Sequence, residues 1–109
     1  KPMRLIDYDY ASNNERAYEI GVFVGFNFFD AAQTRFAIES YLGEWDAHLS
    51  ARVQVIRMVA DVKWGLWGLV NAKAWAGGDF DYYKYGLWDL RRALIETLAP
   101  DWEEQLGRI

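Results

Sequence analysis

The sequence predicts a mainly α-helical protein, for three reasons. Apolar residues recur at helical spacing in four long segments, capping residues and glycines separate those segments, and only the first few residues look like a strand. With 52% hydrophobic residues, the 109-residue chain has enough apolar side chains for one packed core. We therefore predict one domain of about four to five helices, preceded by a short strand over residues 3–6.

The first half of the chain predicts two helices. The first should begin near Asn14 and run to about Asp30, because its apolar residues recur every three or four positions. The second should begin at Asp30 or Ala31 and end at Gly43, a residue type that commonly terminates helices. We expect the first helix to be mostly buried and the second to bury one side.

The third helix should be the longest. Asp46 or Ser50 can cap its first turn, and Gly77 and Gly78 should end it. Its second half is apolar almost all round, and a helix without a polar face must be covered on several sides. We therefore predict that it is the central element.

Two further helices are predicted after it. Asp79 can cap a fourth helix from about Phe80 to Leu98. A proline then breaks the chain, and Asp101 with Glu104 could open a short last helix as a capping box.

Composition excludes several classes of site. The chain has no cysteine and one histidine, which excludes disulfides and thiolate nucleophiles and argues against a Ser-His-Asp triad or a histidine-rich metal site. A net charge of −4 without a basic stripe argues against a nucleic-acid surface. We see no apolar run long enough to span a membrane and no signal peptide, so we expect a cytoplasmic protein.

Two aspartates follow the apolar run near the N-terminus, in the stretch LIDYDY (residues 5–10). An acidic residue directly after a strand can hold a divalent cation, because the strand fixes the backbone while the carboxylate faces a cleft. Asp7 and Asp9 could both reach one metal ion if the chain turns there. On motif length alone, solvated loop acids are the more common interpretation.

The stretch KWGLWGLVNAK (residues 63–73) places two tryptophans, each followed by a glycine, in the third helix. Trp64 and Trp67 share a helix face, and the glycines remove side chains beside them. The two indoles could form a cage for a quaternary ammonium group. Tyrosines elsewhere could complete it: Tyr10, Tyr82 and Tyr85. Alternatively, the tryptophans belong to the core and the glycines permit close helix packing.

Together these segments resemble the C-terminal lobe of the choline and ethanolamine kinase family, within the aminoglycoside-phosphotransferase-like kinases. LIDYDYASNNERAYEIG (5–21) is similar to the family's metal-binding segment, WGLWGLVNAK (64–73) to its tryptophan segment and FDYYKY (80–85) to its next aromatic cluster. The three occur in the family's order and cover nearly the whole chain. The resemblance implies that residues 1–109 form the helical, substrate-binding C-terminal lobe of a protein-kinase-like fold.

The resemblance also implies an activity and its site residues. The reaction is transfer of the γ-phosphoryl group of ATP to the hydroxyl of choline or ethanolamine, with Mg²⁺ as cofactor. Asp7 matches the family's magnesium ligand, and Asp9 stands where the family usually has glutamate and could serve a second magnesium. Phe26 stands where eukaryotic relatives tend to carry an acid, which leaves the acceptor open. The positions that match the walls of the choline pocket are Tyr10, Trp64, Trp67 and Tyr85, with Phe80 and Tyr82 beside them.

The family's other motifs would lie upstream of Lys1. The glycine-rich loop, the nucleotide-binding lysine and the H-x-D-x-x-x-x-N catalytic loop with its base do not occur in these residues, so no catalytic residue is assigned here. We expect these residues alone to lack kinase activity and to need the N-terminal lobe of the same protein. The rival interpretations are a related kinase for aminoglycosides or thiamine, and a non-catalytic helical module that binds a ligand or partner through exposed tryptophans.

Overall fold

The computed structural model describes residues 2–75 and 77–109, and that part of the chain contains five α-helices. Their bounds are α1 Arg16–Phe26, α2 Ala31–Leu42, α3 Ala47–Ala74, α4 Tyr82–Thr97 and α5 Trp102–Leu106. The predicted helical class is confirmed. Helix α3 is 28 residues long and packs against α1, α4 and α5, so its predicted central position is confirmed as well. None of the helices described is both long and apolar enough to cross a membrane.

Side-chain caps and a glycine set the bounds of α2 and the start of α3. Asp30 accepts from the backbone N–H of Gln33, and the Gln33 side chain accepts from the Asp30 N–H, which makes a capping box. Gly43 ends α2 with a left-handed φ of 85°. Asp46 caps α3 by accepting from the N–H of Leu49 at 2.8 Å. These predicted boundaries are confirmed.

Two other predicted boundaries are wrong. Helix α1 ends at Phe26, short of its predicted end, because Phe28 has a left-handed φ of 54° that a right-handed helix cannot contain. Helix α4 is capped by Asp81, whose Oδ1 accepts from the N–H of Lys84 at 2.9 Å, and not by Asp79. The fourth helix therefore begins two residues later than predicted, within the tyrosine-rich stretch.

The predicted capping box of the last helix is not formed. Asp101 stands at the N-cap position, but its carboxylate accepts from the side chain of Gln105 at 3.1 Å and caps no backbone N–H. The Glu104 carboxylate pairs with Arg108. Both acids are thus engaged by side chains one turn further along.

The predicted strand over residues 3–6 is wrong, since no strand occurs within residues 2–75 and 77–109. Leu5 and Ile6 are 77% and 84% exposed, and their backbone pairs with no neighbouring segment described here. Because a strand is stable only when a second strand satisfies its N–H and C=O groups, these residues stay extended and unpaired.

The apolar core lies where α1 and α2 meet α3. Its buried members are Ala17, Ile20, Val24, Ala37, Ile38 and Val53. Helices α3 and α4 are joined by residues 75–81 and pack against each other, and we call this pair the α3–α4 hairpin.

Glycines bring the two helices of this hairpin close together. A Cβ atom at Gly65 would lie 2.7 Å from Cγ of Leu90, and one at Gly68 would lie 2.8 Å from Cα of Gly86. Neither position has room for a larger residue without a shift of α4. The close-packing interpretation of the two glycines is therefore confirmed, and α4 fills the space that they clear.

Candidate functional site

Aromatic side chains from three separate segments form one continuous cluster at the side of the α3–α4 hairpin. We call it the aromatic cluster, and its members are Tyr10, Trp64, Trp67, Phe80, Tyr82 and Tyr85. The structure thus brings together all six side chains that the sequence predicted as pocket walls. Tyr10 and Phe80 are 67% and 52% exposed, so the cluster is open to solvent.

Trp64 connects the N-terminal segment and α1 to the hairpin. Its ring centroid lies 5.1 Å from that of Tyr10 and 6.4 Å from that of Phe26, both with an edge turned to a face. The centroids of Trp64 and Trp67 are 5.7 Å apart, again edge to face. This is the geometry that the opposite charges of ring face and ring edge favour.

Trp67 continues the cluster towards α4. Its centroid lies 5.5 Å from Tyr82 and 6.1 Å from Tyr85. Phe80 closes the far end, at 4.8 Å from Tyr82 and 5.7 Å from Tyr85. Because each ring contacts at least one other, the cluster forms a single aromatic wall and not a set of isolated side chains.

A cation of the chain itself already lies against this wall. The Nζ atom of Lys63 is 4.9 Å from the ring centroid of Trp64 and donates a 2.8 Å hydrogen bond to the Tyr18 hydroxyl. Attraction between an ammonium group and an indole face is strongest for tryptophan among the aromatic residues. The Lys63 ammonium therefore demonstrates that one face of Trp64 accepts a positive charge.

The two predicted metal ligands lie in the exposed segment before α1. Asp7 has a left-handed φ of 66°, and the chain turns directly after it, with the N–H of Ala11 donating to the carbonyl of Tyr8 at 2.9 Å. Across residues 2–75 and 77–109, no three side chains of metal-ligating type come together. Asp7 and Asp9 are nevertheless hard oxygen donors, and Mg²⁺ commonly takes one or two carboxylates and completes its shell with water and phosphate oxygens. The donor chemistry of this pair fits that ion.

A buried network of charged side chains crosses the hairpin beneath the cluster. Arg92 donates to both oxygens of Asp61, with 3.0 Å between Nε and Oδ2, and its Nη2 also lies 3.5 Å from Oδ1 of Asp89. A second pair joins Arg57 to Glu96, with 2.7 Å between Nε and Oε1. Three carboxylates thus face two guanidinium groups, so that the network carries one negative charge in excess when all five groups are ionised.

Burial shifts the pKa values of this region. Removal from water raises the pKa of Asp89 and that of Glu96, because the neutral carboxyl is easier to bury, although the nearby arginines oppose the effect. Burial, followed by the charge of Asp89, raises the pKa of Tyr85 to about 12. For Arg92 burial alone would lower the pKa, but the hydrogen bond and the charge of Asp61 outweigh it and raise the pKa. Arg92 therefore stays charged.

Sequence reasoning missed this network. Its members lie on different helices, and which faces of α3 and α4 meet depends on the glycine crossing, which periodicity does not reveal. One signal could have indicated it: Asp61 stands among the apolar residues of the central helix, where a lone carboxylate needs a partner. Asp89 and Arg92 then lie three positions apart on one face of α4.

A recess of about 410 Å³ opens between the end of α1 and α4. Its aromatic walls are Phe26, Phe28, Phe80, Tyr85 and Trp88. Because Phe80 and Tyr85 belong both to the recess and to the aromatic cluster, the two are contiguous. The charged groups that line it are Asp81, Lys84, Asp89 and Arg92.

A larger apolar groove of about 780 Å³ lies between α1 and α2. Its walls include Phe23, Phe29, Phe36 and Tyr41. None of the site residues predicted from the sequence lines it, and Glu19 is the only acidic or basic side chain among its lining residues. The recess beside the aromatic cluster, and not this groove, is therefore the candidate site.

Comparison of the chain with protein-family models, with curated proteins and with solved structures finds no match. The features of the chain that bear on its function are therefore the aromatic cluster, the two N-terminal aspartates and the charged network.

Proposed function

We propose that this chain is the substrate-binding lobe of a kinase that transfers the γ-phosphoryl group of ATP to the hydroxyl of choline or ethanolamine. One observation carries the proposal. Aromatic side chains from three distant segments, each matching a pocket position in the family that the sequence resembles, meet in a single cluster. An aromatic wall of this kind attracts an organic cation by about 1–2 kcal/mol for each well-placed ring.

Electrostatics support a cationic acceptor. The chain carries a net charge of −4, and the buried network beneath the cluster has more carboxylates than guanidinium groups. A positively charged ligand would therefore gain from the field of the protein as well as from the rings. Held by its ammonium end, the acceptor would be oriented with its hydroxyl free to meet the phosphate.

Asp7 and Asp9 are the residues that would hold Mg²⁺ in this kinase. When bound, the ion neutralises charge on the nucleotide phosphates. Tyr10 follows Asp9 directly and contacts Trp64, with 5.1 Å between ring centroids. The proposed metal ligands therefore come directly before a ring of the proposed acceptor pocket in the sequence, which is compatible with phosphoryl transfer between them.

The nucleotide-binding lobe and the catalytic base of this kinase would lie outside these 109 residues. The chain would accordingly contribute acceptor binding and magnesium ligands, and the upstream lobe of the same protein would contribute ATP binding and proton transfer. We place such an ATP-dependent enzyme in the cytoplasm.

Isothermal titration calorimetry on the full-length protein tests the proposal, with choline, ethanolamine, thiamine and kanamycin as ligands. We expect the amino alcohols to bind best. We also expect Trp67→Ala, and separately Trp64→Ala, to weaken binding about tenfold or more, since each removes a ring worth about 1–2 kcal/mol. Trp45→Ala is the matched control, because Trp45 lies outside the cluster and contacts Arg35 instead.

Three results would contradict the proposal. Preference for thiamine or kanamycin would indicate a related kinase with another acceptor. Unchanged choline affinity in folded Trp64→Ala and Trp67→Ala variants would mean that these rings do not bind the ammonium group. If none of the four ligands bound, the aromatic cluster would have a role in packing alone.

A further inference from the structure

We propose that Asp89 accepts a hydrogen bond from the protonated amine of the substrate within the recess, so that the protein prefers amino alcohols with at least one N–H over quaternary ones. The inference rests on the proposed function and specifies the substrate class of the same site. It makes Asp89 a specificity-determining residue that the sequence did not suggest.

Oδ2 of Asp89 accepts no hydrogen bond of normal geometry from the described residues. The side chain is 2% exposed, and its Oδ1 lies 3.5 Å from Nη2 of Arg92. Its Oδ2 is buried, and the Tyr85 hydroxyl, which interacts with the Asp89 carboxylate, does not donate to it at hydrogen-bond geometry. Buried polar atoms are nearly always paired in native proteins, because an acceptor without a donor forfeits its interaction with water and gains nothing in return.

The nearest cation is not available to supply the missing donor. Nε and Nη2 of Arg92 both donate to Asp61, and Nη1 points to the carbonyl of Gly25 at 3.4 Å. The guanidinium also lies over Phe26 and Phe28, 5.1 Å from the centroid of the second ring. Arg92 is therefore held in place by Asp61 and two rings and does not donate to Oδ2 of Asp89, a residue that lines the recess.

The recess suits a small ammonium ligand in size and chemistry. Its volume of about 410 Å³ exceeds what an amino alcohol needs, and its walls near Asp89 are the aromatic side chains of Tyr85 and Trp88. Phe26 contributes a ring and no carboxylate at the opposite wall. Asp89 is thus the buried carboxylate that a cation in this recess would meet, whereas Asp81 at the rim is exposed.

The methylation state of the amine decides whether Oδ2 becomes satisfied. A primary, secondary or tertiary ammonium carries at least one N–H and can donate to the carboxylate. A quaternary ammonium carries none, so that Oδ2 would remain without a donor and the ligand would gain nothing from it. Aromatic faces attract all of these cations, but only the N–H distinguishes them at Asp89.

The experiment is a calorimetric titration of the full-length protein with ethanolamine, N-methylethanolamine, N,N-dimethylethanolamine and choline. The first three should bind well, and choline should bind about tenfold more weakly than the dimethyl compound, as the loss of one hydrogen bond to a charged group predicts. In the Asp89→Asn variant, choline and the dimethyl compound should bind with about equal affinity. Asp46→Asn is the matched control and should keep the original step in affinity between the two compounds, because asparagine also caps a helix and Asp46 is exposed and lies outside the recess.

Carbon-13 NMR of the aspartate carboxyls supplies a readout on the unmutated protein. Ethanolamine should move the Asp89 signal, and choline should move it little. A flat or inverted affinity series, an Asp89→Asn series with the original step, or equal NMR shifts for the two ligands would each overturn the inference while leaving the proposed function in place. Failure of every amine to bind would overturn both.

Discussion

Arg92 of α4 binds both carboxylate oxygens of Asp61 in α3, so that a two-point ion pair crosses the interface of the two longest helices. The Asp61 and Arg92 side chains are 2% and 13% exposed. We expect Asp61→Asn to lower the free energy of unfolding by about 3 kcal/mol, because it leaves a buried guanidinium short of its counter-charge. This loss should lie at the low end of the range usual for a broken buried ion pair, because Asp89 still places a carboxylate near the Arg92 guanidinium. Urea unfolding followed by circular dichroism measures it.

Glu104→Gln is the control for that measurement. Glu104 pairs with Arg108, and the two side chains are 61% and 45% exposed. Exposed pairs contribute about 0–1 kcal/mol, so the urea midpoint should hardly move. Equal losses of unfolding free energy in the two variants would mean that the buried Asp61–Arg92 pair stabilises the fold no more than an exposed pair does.

Gly68→Ala tests the close approach of α3 and α4. The new Cβ would lie 2.8 Å from Cα of Gly86 and 2.9 Å from the carbonyl oxygen of Tyr82. Overpacking of about 1–3 kcal/mol should exceed the gain in helix propensity of about 1 kcal/mol, so that the melting temperature falls. At Gly107, a Cβ would have its nearest neighbours at 3.6 Å, and Gly107→Ala should leave the melting temperature unchanged. A Gly68→Ala variant as stable as the parent would contradict the packing described.

Stability should fall as the pH rises through the mildly acidic range. Asp89 and Glu96 have raised pKa values in the folded protein, above the ordinary 3.8 and 4.5. The folded state therefore holds these protons where the unfolded state has lost them, and folding becomes less favourable from those ordinary values up to the raised ones. Urea midpoints measured across this window should decline less steeply in Asp89→Asn and Glu96→Gln than in the parent. A steeper decline in the variants would refute the assigned direction.

Asp81 and Asp79 offer a matched pair for the start of α4. Asp81→Ala should cost about 1 kcal/mol, because its carboxylate satisfies the backbone N–H of Lys84. Asp79→Ala should cost little, since Asp79 caps no helix. Thermal unfolding of the two variants decides between them, and a reversed order would restore the boundary that the sequence predicted.

Under the proposed function, Asp7→Asn in the full-length protein should lower kcat by about 100-fold or more, because the proposed magnesium ion, which neutralises charge on the phosphates, would lose a charged ligand. The choline affinity of the Asp7→Asn variant should stay the same, since Asp7 lies outside the aromatic cluster. The Asp9→Glu variant keeps a carboxylate at its position and should retain most of the activity. Steady-state kinetics and calorimetry separate the two effects, and an active Asp7→Asn enzyme would remove Asp7 from the metal site.

Much of the helical architecture was predictable because its signals are local. Asp30, Gly43 and Asp46 act within one turn of their own positions, so their residue types were enough to place the helix ends. The start of α4 was harder, since Asp79 and Asp81 offer the same cap two residues apart. The strand at residues 3–6 failed because a strand depends on a partner distant in sequence.

In the candidate site, too, the local features were predictable and the contacts between helices were not. Helical spacing alone places Trp64 and Trp67 on one face, and the resemblance to a known family indicated the other rings. The roles of Asp61, Asp89 and Arg92 depend on which faces of two helices cross. Periodicity could mark Asp61 as unusual in its apolar surroundings, but it could not identify the guanidinium that neutralises it.

The positions of the cluster's rings along the chain have a consequence for which substitutions would disturb it. Five of its six rings belong to the α3–α4 hairpin and the connection between its helices: Trp64, Trp67, Phe80, Tyr82 and Tyr85. None of the six belongs to α2. Substitutions on α2 that keep the apolar core packed should therefore leave most of the surface proposed to bind an ammonium ion unchanged.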